Sequence, residues 1–269
     1  MCERVSNGIG TYPVSDEPTD RLLGTDDAAP VQTINPKGRS SFLLIGDHAG
    51  NAIPQRLGTL GLEPAERVRH IAWDIGIATL GALLAETLDA VFVRQTYSRL
   101  VVDCNRRHQA PDAIAPASDG TVVPGNADLT EADRARRFAE IHEPYQAAIA
   151  AEIARRDAAG QATILVSLHS FTPVMRGFAR PWEVGILHDA GNTGFSHAML
   201  AALRAEGDLT VGDNEPYRMD LIDYTIPRHA YPTLRPYVEI EVRQDLIGDA
   251  AGCAAWSERL ARILTRAAG

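Results

Sequence analysis

Three short stretches place chemically capable side chains at the ends of apolar runs. In LLIGDHAGNAIP the run Leu43, Leu44, Ile45 stops at a glycine and is followed by Asp47, His48 and Asn51. In VSLHSF, Val166 and Leu168 lead into His169 and Ser170. In YVEIEVRQD, Glu239, Glu241 and Arg243 alternate with apolar residues and so share one face of a strand. Among the eight histidines, His48 and His169 stand apart because each sits at the polar end of an apolar strand. Neutral imidazole is a good zinc ligand, and a catalytic zinc takes three protein ligands and leaves a position for water. A carboxylate commonly accompanies two histidines in hydrolases. Asp74, in HIAWDIG, is the candidate, with a helix N-cap as its alternative role. Zinc is the expected ion, and another divalent metal would suit the same set. Burying a carboxylate is costly unless it is paired or working. Glu241 is therefore a candidate general base, with an ion pair to Arg243 as the alternative.

The stretch YSRLVVDCNRRH gathers Arg99, Asp103, Asn105, Arg106 and Arg107. Arginine forks match carboxylates in bidentate fashion. In an acidic protein such a cluster fits either an anionic substrate or a solvated loop with a structural Arg–Asp pair. The chain has no GxSxG nucleophile elbow, no GxxxxGK[ST] phosphate loop, no GxGxxG after a strand and no HExxH. Serine hydrolase, P-loop NTPase and dinucleotide-dependent dehydrogenase all lose ground.

These residues need elements to hold them. Residues 1–38 are rich in Gly, Pro, Asp, Ser and Thr and read as an N-terminal arm, extended or partly disordered. From residue 39 to 269, short apolar runs alternate with amphipathic stretches, the pattern of a single α/β domain. Its sheet is expected to be mixed but mostly parallel and twisted, with helices on both faces. Strands are predicted at Phe42–Ile45, Ala90–Arg94, Leu100–Asp103, Thr163–Leu168, Val184–Leu187 and Tyr237–Val242. Helices are predicted at Ile75–Leu88, Glu131–Ala158, Thr193–Ala205 and Ala250–Ala267, with Pro144 kinking or dividing the second. Residues 108–128 form a long Pro/Gly/Asp-rich loop, and loops of that length in compact domains tend to be functional.

A formal charge of −9 argues against a nucleic-acid partner. No apolar run approaches the length of a membrane span, and the N-terminus lacks the layout of a secretory signal. Cys2, Cys104 and Cys253 are odd in number and far apart, which favours a reducing compartment. A cytoplasmic protein is expected, and the sequence carries no signal for an oligomeric state.

DHAGNAIP, AWDIGI, SRLVVDCNR, SLHSF and YTIPRHAYPTLRPYVEIEVRQDLI resemble, in that order, the signature segments of the N-formylglutamate amidohydrolase family. The likeness runs from about Leu43 to Ile247. It implies a zinc-dependent amidohydrolase with a zinc carboxypeptidase-like (phosphorylase/hydrolase-like) fold, acting on a small anionic N-acyl amino acid. N-formyl-L-glutamate, cleaved to formate and L-glutamate, would connect it to histidine breakdown. The resemblance maps metal ligands onto His48 and His169, the substrate-gripping pair onto Asn105 and Arg106, with Arg99 and Arg243 near them, and the base onto Glu241. His229, in PRHAYP, also falls in a signature segment, as a substrate or oxyanion contact or as a structural residue. The His-x-x-Glu pattern of the carboxypeptidase group has Asn51 where the glutamate would be. An asparagine carbonyl is a poor zinc ligand, so Asp74 is the preferred third ligand. Two other readings stand beside this one: a hydrolase for another N-acyl amino acid or a peptide C-terminus, and a non-catalytic binding protein on the same scaffold.

Overall fold

A computed structural model describes residues 21–219 and 223–269. The elements run β1 (Val31–Ile34), β2 (Phe42–Gly46), α1 (Ile77–Thr87) and β3 (Val91–Gln95), then a small hairpin of β4 (Ala117–Ser118) and β5 (Thr121–Val122). Next come α2 (Glu131–Arg137), a π turn over Phe138–His142, α3 (Glu143–Ala158) and β6 (Ile164–Phe171). A second hairpin, β7 (Val174–Met175) and β8 (Phe178–Ala179), precedes β9 (Val184–Leu187) and α4 (Gly194–Arg204). The chain finishes with β10 (Val211–Asp213), α5 (Thr225–His229), β11 (Tyr237–Arg243) and α6 (Ala250–Ala268).

Seven strands form one sheet in the order β1-β3-β2-β6-β11-β9-β10. β1 with β3 and β11 with β9 are antiparallel, and every other neighbouring pair is parallel. Alternation sorts the side chains. Leu43, Ile45, Val93 and Leu165 face Tyr145 and Ile149 of α3, whereas Leu44, Phe92, Val166 and Ile240 face α1, α4 and α6. Both faces are covered, so these strands read as continuous apolar runs. The domain is the mixed, mostly parallel α/β domain that the patterning predicts.

Helix α6 buries Cys253, Trp256, Leu260, Ile263 and Leu264 at helical spacing, and Asp249 caps it by accepting from the Gly252 N–H at 2.8 Å. The long helix predicted over Glu131–Ala158 is divided in the turn before Pro144. The break is the π turn, which contains Glu140, the residue whose carbonyl would accept from an N–H at position 144, and Pro144 sits in the first turn of α3.

Leu100–Asp103 is not a strand. Its apolar residues are buried, but the backbone turns, with the Val101 N–H donating to the Ser98 carbonyl and the Asp103 N–H to the Ala113 carbonyl. Of the arm, residues 1–20 lie outside the described residues, and Val31–Ile34 is an edge strand. Among the described residues no helix is long and apolar enough to cross a membrane.

Candidate active site

β2, β6 and β11 lie side by side and parallel, so their carboxyl ends open on one edge of the sheet. Open α/β sheets bind ligands at such edges. His48 sits in the turn after β2, His169 lies on β6, and Glu239 and Glu241 lie on β11, with Glu241 opposite His169 in register. Asp74 arrives from the segment ahead of α1, and its N–H donates to the His48 carbonyl at 2.9 Å. Two glycines permit this convergence. A Cβ on Gly50 would stand 2.0 Å from the Thr96 carbonyl oxygen. Gly76 has φ +87° and a Cβ there would stand 2.2 Å from the Ile247 carbonyl oxygen.

His48, Asp74 and His169 are buried and offer three ligand atoms within 4.8 Å of one another. Asp74 Oδ2 is 2.8 Å from His169 Nδ1 and 3.5 Å from His48 Nδ1. Among the described residues His48 Nδ1 has no hydrogen-bond partner. The outer nitrogens are engaged elsewhere. His48 Nε2 is 2.7 Å from Asp103 Oδ1, while His169 Nε2 is 3.1 Å from Ser167 Oγ and 3.4 Å from Asp47 Oδ2. Asp103 is itself gripped by Arg99, whose Nε and Nη2 donate to Oδ2 at 3.1 and 2.7 Å. Thr225 Oγ1 donates to Asp47 Oδ1 at 2.7 Å. Metal-binding histidines are commonly oriented by a carboxylate on the outer nitrogen.

Asp74 does not act as a helix cap. Gly76 holds the N-cap position of α1, and the Asp74 carboxylate goes to His169 and to the Ser170 N–H at 3.3 Å. Asn51 is outside the cluster, with its Nδ2 at 3.5 Å from the Arg67 carbonyl.

Electrostatics support the same grouping. Burial and the Arg99 guanidinium work to lower the His48 pKa, but Asp103 and Asp74 outweigh them and raise it. Burial likewise opposes charge on His169, yet Asp47 and Asp74 hold it well above the ordinary histidine value. Carboxylates thus draw positive charge onto both imidazoles. A dication suits this environment, since it replaces those protons with its own charge. Burial raises Glu241 to about 7 against the pull of His169. Glu239, also buried, is pushed well above the carboxylate range.

The cluster opens into a cavity of about 510 Å³, whose walls include Arg99, Asn105, Arg106, Glu239 and Glu241. That volume suits a small ligand. Arg106 donates through Nε to Asp112 at 2.9 Å and through Nη1 to Asp223 at 3.3 Å. Asn105 Oδ1 accepts the N–H groups of Tyr224 and Thr225. Asp112, Ala115 and Ser118 belong to the long loop of residues 108–128, which forms part of the wall.

Two predicted site residues lie elsewhere. Arg243 does not line the cavity; its Nε donates to Asp245 at 2.8 Å and its Nη1 to the Trp182 carbonyl at 3.3 Å. Nor does it pair with Glu241, whose buried Oε2 has no hydrogen bond among the described residues. His229 sits behind the cavity, where its Nε2 donates to Gln146 Oε1 at 2.8 Å. Burial, helped by Arg228, lowers its pKa to about 4. Gln146 donates in turn to Thr225 Oγ1 at 3.1 Å, so His229 reaches Asp47 only through two intervening side chains.

Sequence reasoning did not assign roles to Asp47, Arg176, Tyr217 or Arg218. Asp47 backs His169, and the other three line the cavity. Arg176 comes from the turn of the β7–β8 hairpin. The adjacency of Asp47 to His48 was the only signal available for any of them.

The family model for N-formylglutamate amidohydrolase matches residues 40–248. The chain is similar to gene product Atu2144 from Agrobacterium tumefaciens, with 39% identity, a TM-score of 0.89, and coverage of 92% of this chain and 98% of that one. It shares its fold with an N-formylglutamate amidohydrolase from Ralstonia eutropha JMP134, at 20% identity and a TM-score of 0.63, over 89% of this chain and 97% of that one. A search of curated protein sequences found no match.

Proposed function

The chain belongs to the N-formylglutamate amidohydrolase family, and from that premise we propose that it hydrolyses a short N-acyl amino acid, N-formyl-L-glutamate, to formate and L-glutamate. One observation carries the reading. His48, Asp74 and His169 converge at the same cavity that Glu241, Asn105 and Arg106 line.

His48, Asp74 and His169 would hold a divalent cation, zinc by the chemistry of two imidazoles and a carboxylate. When bound, the cation lowers the pKa of water toward neutrality and polarises the amide carbonyl. Glu241 performs the proton transfers. Its Oε2 has no competing hydrogen bond among the described residues, and burial raises its pKa above the ordinary carboxylate value, as suits a group that both takes and returns a proton. It accepts a proton from the attacking water as the new C–O bond forms. It then passes that proton to the amide nitrogen as the C–N bond breaks and the amine leaves. Burial pushes Glu239 well above the carboxylate range, which favours its protonated form.

Arg106 and Asn105 hold the substrate carboxylate, with Arg106 exchanging part of its grip on Asp112 and Asp223. Arg99 acts mainly through Asp103, which it fixes against His48. Among the described residues Arg176 and Arg218 are in no ion pair, and both line the cavity. They suit a second carboxylate, as glutamate has. Formyl selectivity would come from a confined acyl pocket.

With Asp74 in the cluster, Asn51 no longer argues for a decayed, non-catalytic scaffold. The test is a panel of N-formyl, N-acetyl and N-succinyl amino acids given to metal-replete protein, with acid and amine release measured. Turnover of N-formyl-L-glutamate above the others is expected. Its absence from the substrates turned over would overturn the assignment.

A further inference from the structure

Outside the cavity a second group of ligand-type side chains comes together. His108, His142 and Glu143 offer three ligand atoms within 4.8 Å of one another. His108 lies two residues beyond Arg106, at the start of the long loop that walls the cavity. His142 and Glu143 stand where the π turn passes into α3. A π turn re-aims the side chains around it and often marks a functional position.

His142 is fully buried. Its Nε2 is 3.0 Å from the Arg106 carbonyl oxygen. A carbonyl can only accept, so this nitrogen carries the proton and Nδ1 keeps its lone pair. That Nδ1 has no hydrogen-bond partner among the described residues and stands 3.6 Å from Glu143 Oε1. An unpartnered buried polar atom calls for an explanation. His108 Nε2 is 2.7 Å from the same Glu143 oxygen, and its ring is 5.1 Å from that of His142. The His142 ring is anchored by one nitrogen on a carbonyl, and its free lone pair stands beside a carboxylate and a second imidazole. Metal-ligating histidines are held in this way.

We propose that His108, His142 and Glu143 form a second metal site, for a borderline dication such as zinc, that clips the cavity-wall loop to α3. Two imidazoles and a carboxylate select zinc-like ions over magnesium or calcium, which prefer all-oxygen shells. The site opens on a groove that includes Arg107 and Arg228. Their positive charge opposes a cation and weakens its binding there. Binding exchanges the His108–Glu143 hydrogen bond for two ligand bonds, with the ring proton of His108 carried on Nδ1. Because His142 also holds the Arg106 carbonyl, the ion stiffens the backbone that carries Arg106. The inference stands on this cluster alone and does not depend on the substrate proposed above.

Equilibrium dialysis of the full chain against zinc alone, followed by elemental analysis, tests it. The comparison is with His108→Ala and Glu143→Gln, at an exposed and a half-buried position where folding should survive, checked by circular dichroism. Each variant should bind one ion fewer per chain than the unaltered protein, whatever the inner site holds. In competition with a chromophoric chelator the outer affinity should fall by at least the roughly 10–100-fold that loss of an outer-shell partner costs. Arg107→Ala, which changes the groove and no ligand, should retain the ion. Equal zinc content in the unaltered protein and both ligand variants would overturn the proposal.

Discussion

Replacing Glu241 with glutamine keeps the side-chain shape and removes one proton acceptor, and it should move stability and activity in opposite directions. Burial holds the folded-state pKa of Glu241 at about 7, against an ordinary 4.5. An acid whose pKa is raised by folding costs stability as pH rises. Below about pH 4.5 both folded and unfolded chains carry the proton. Between there and about pH 7 the unfolded chain releases it while the folded chain retains it. Above that the folded chain bears a buried charge and the full cost, about 3 kcal/mol, is present. Glutamine does not titrate. Metal-free Glu241→Gln should therefore exceed the metal-free parent in stability by about that amount at pH 8, and the gap should close toward pH 4.5. Urea unfolding at pH 5 and pH 8 reads this directly. Turnover should fall by roughly 10²- to 10⁴-fold, the usual worth of a general acid–base group, while zinc content is unchanged because Glu241 is outside the ligand group. In the parent, a bound cation lowers the Glu241 pKa, so the acid limb of kcat/KM should lie below pH 7. Undiminished turnover would refute the role as base. A stability gap that is the same at both pH values would refute the buried-charge argument. If Glu239→Gln lost turnover instead, the two residues would have exchanged roles.

Asp103→Asn should weaken zinc binding about 10–100-fold by loosening His48; competition with a chromophoric chelator measures this, and unchanged affinity would remove Asp103 from its orienting role. His229→Leu leaves the buried Gln146 Oε1 without its donor and should cost roughly 1–3 kcal/mol of stability with kcat preserved. A kcat loss without a shift in unfolding would return His229 to the chemistry. Arg106→Ala should raise KM for N-formyl-L-glutamate by roughly 10- to 150-fold, from a charge-assisted contact of about 1.5–3 kcal/mol. Arg243→Ala should leave KM where it was, and an equal effect of the two would contradict their placement.

The sheet was legible where both faces of a strand are covered, because β2, β6 and β11 then show unbroken apolar runs. It was illegible at the edges. Val31–Ile34 and Val211–Asp213 each pair on one side only and carry too few apolar residues to rise above their surroundings. Leu100–Asp103 shows the converse, since a buried turn needs apolar side chains as much as a strand does. Within the site, His48 and His169 could be read because a polar residue at a strand end is visible in one dimension. The carboxylates that orient them could not, since Asp103 meets His48 across 55 positions of sequence. Arg243 misled for a geometric reason. Alternation places it on the face of Glu241, but two residues further along the strand is about 6.6 Å, and at that height it meets Asp245 rather than the cavity.

The third member of the cluster shows where sequence spacing stops being informative. A His-x-x-Glu pattern delivers two ligands from one turn of chain, so its absence at Asn51 reads as a lost site. Here the carboxylate comes from Asp74, 26 positions after His48 by subtraction of their numbers. The distance between the two is set by a single backbone hydrogen bond, from the Asp74 N–H to the His48 carbonyl. That contact needs close packing of two loops, and Gly50 and Gly76 supply it where any larger residue would strike a carbonyl oxygen. The glycines of DHAGN and WDIG therefore support the ligand set as much as the polar residues beside them. An alanine at Gly76 should disturb metal binding through Asp74 although it touches no ligand. Its Cβ would have to displace the Ile247 carbonyl from 2.2 Å, and the segment that carries Asp74 would yield with it. Zinc affinity unchanged in a folded Gly76→Ala variant would show that this segment has more freedom than the packing allows.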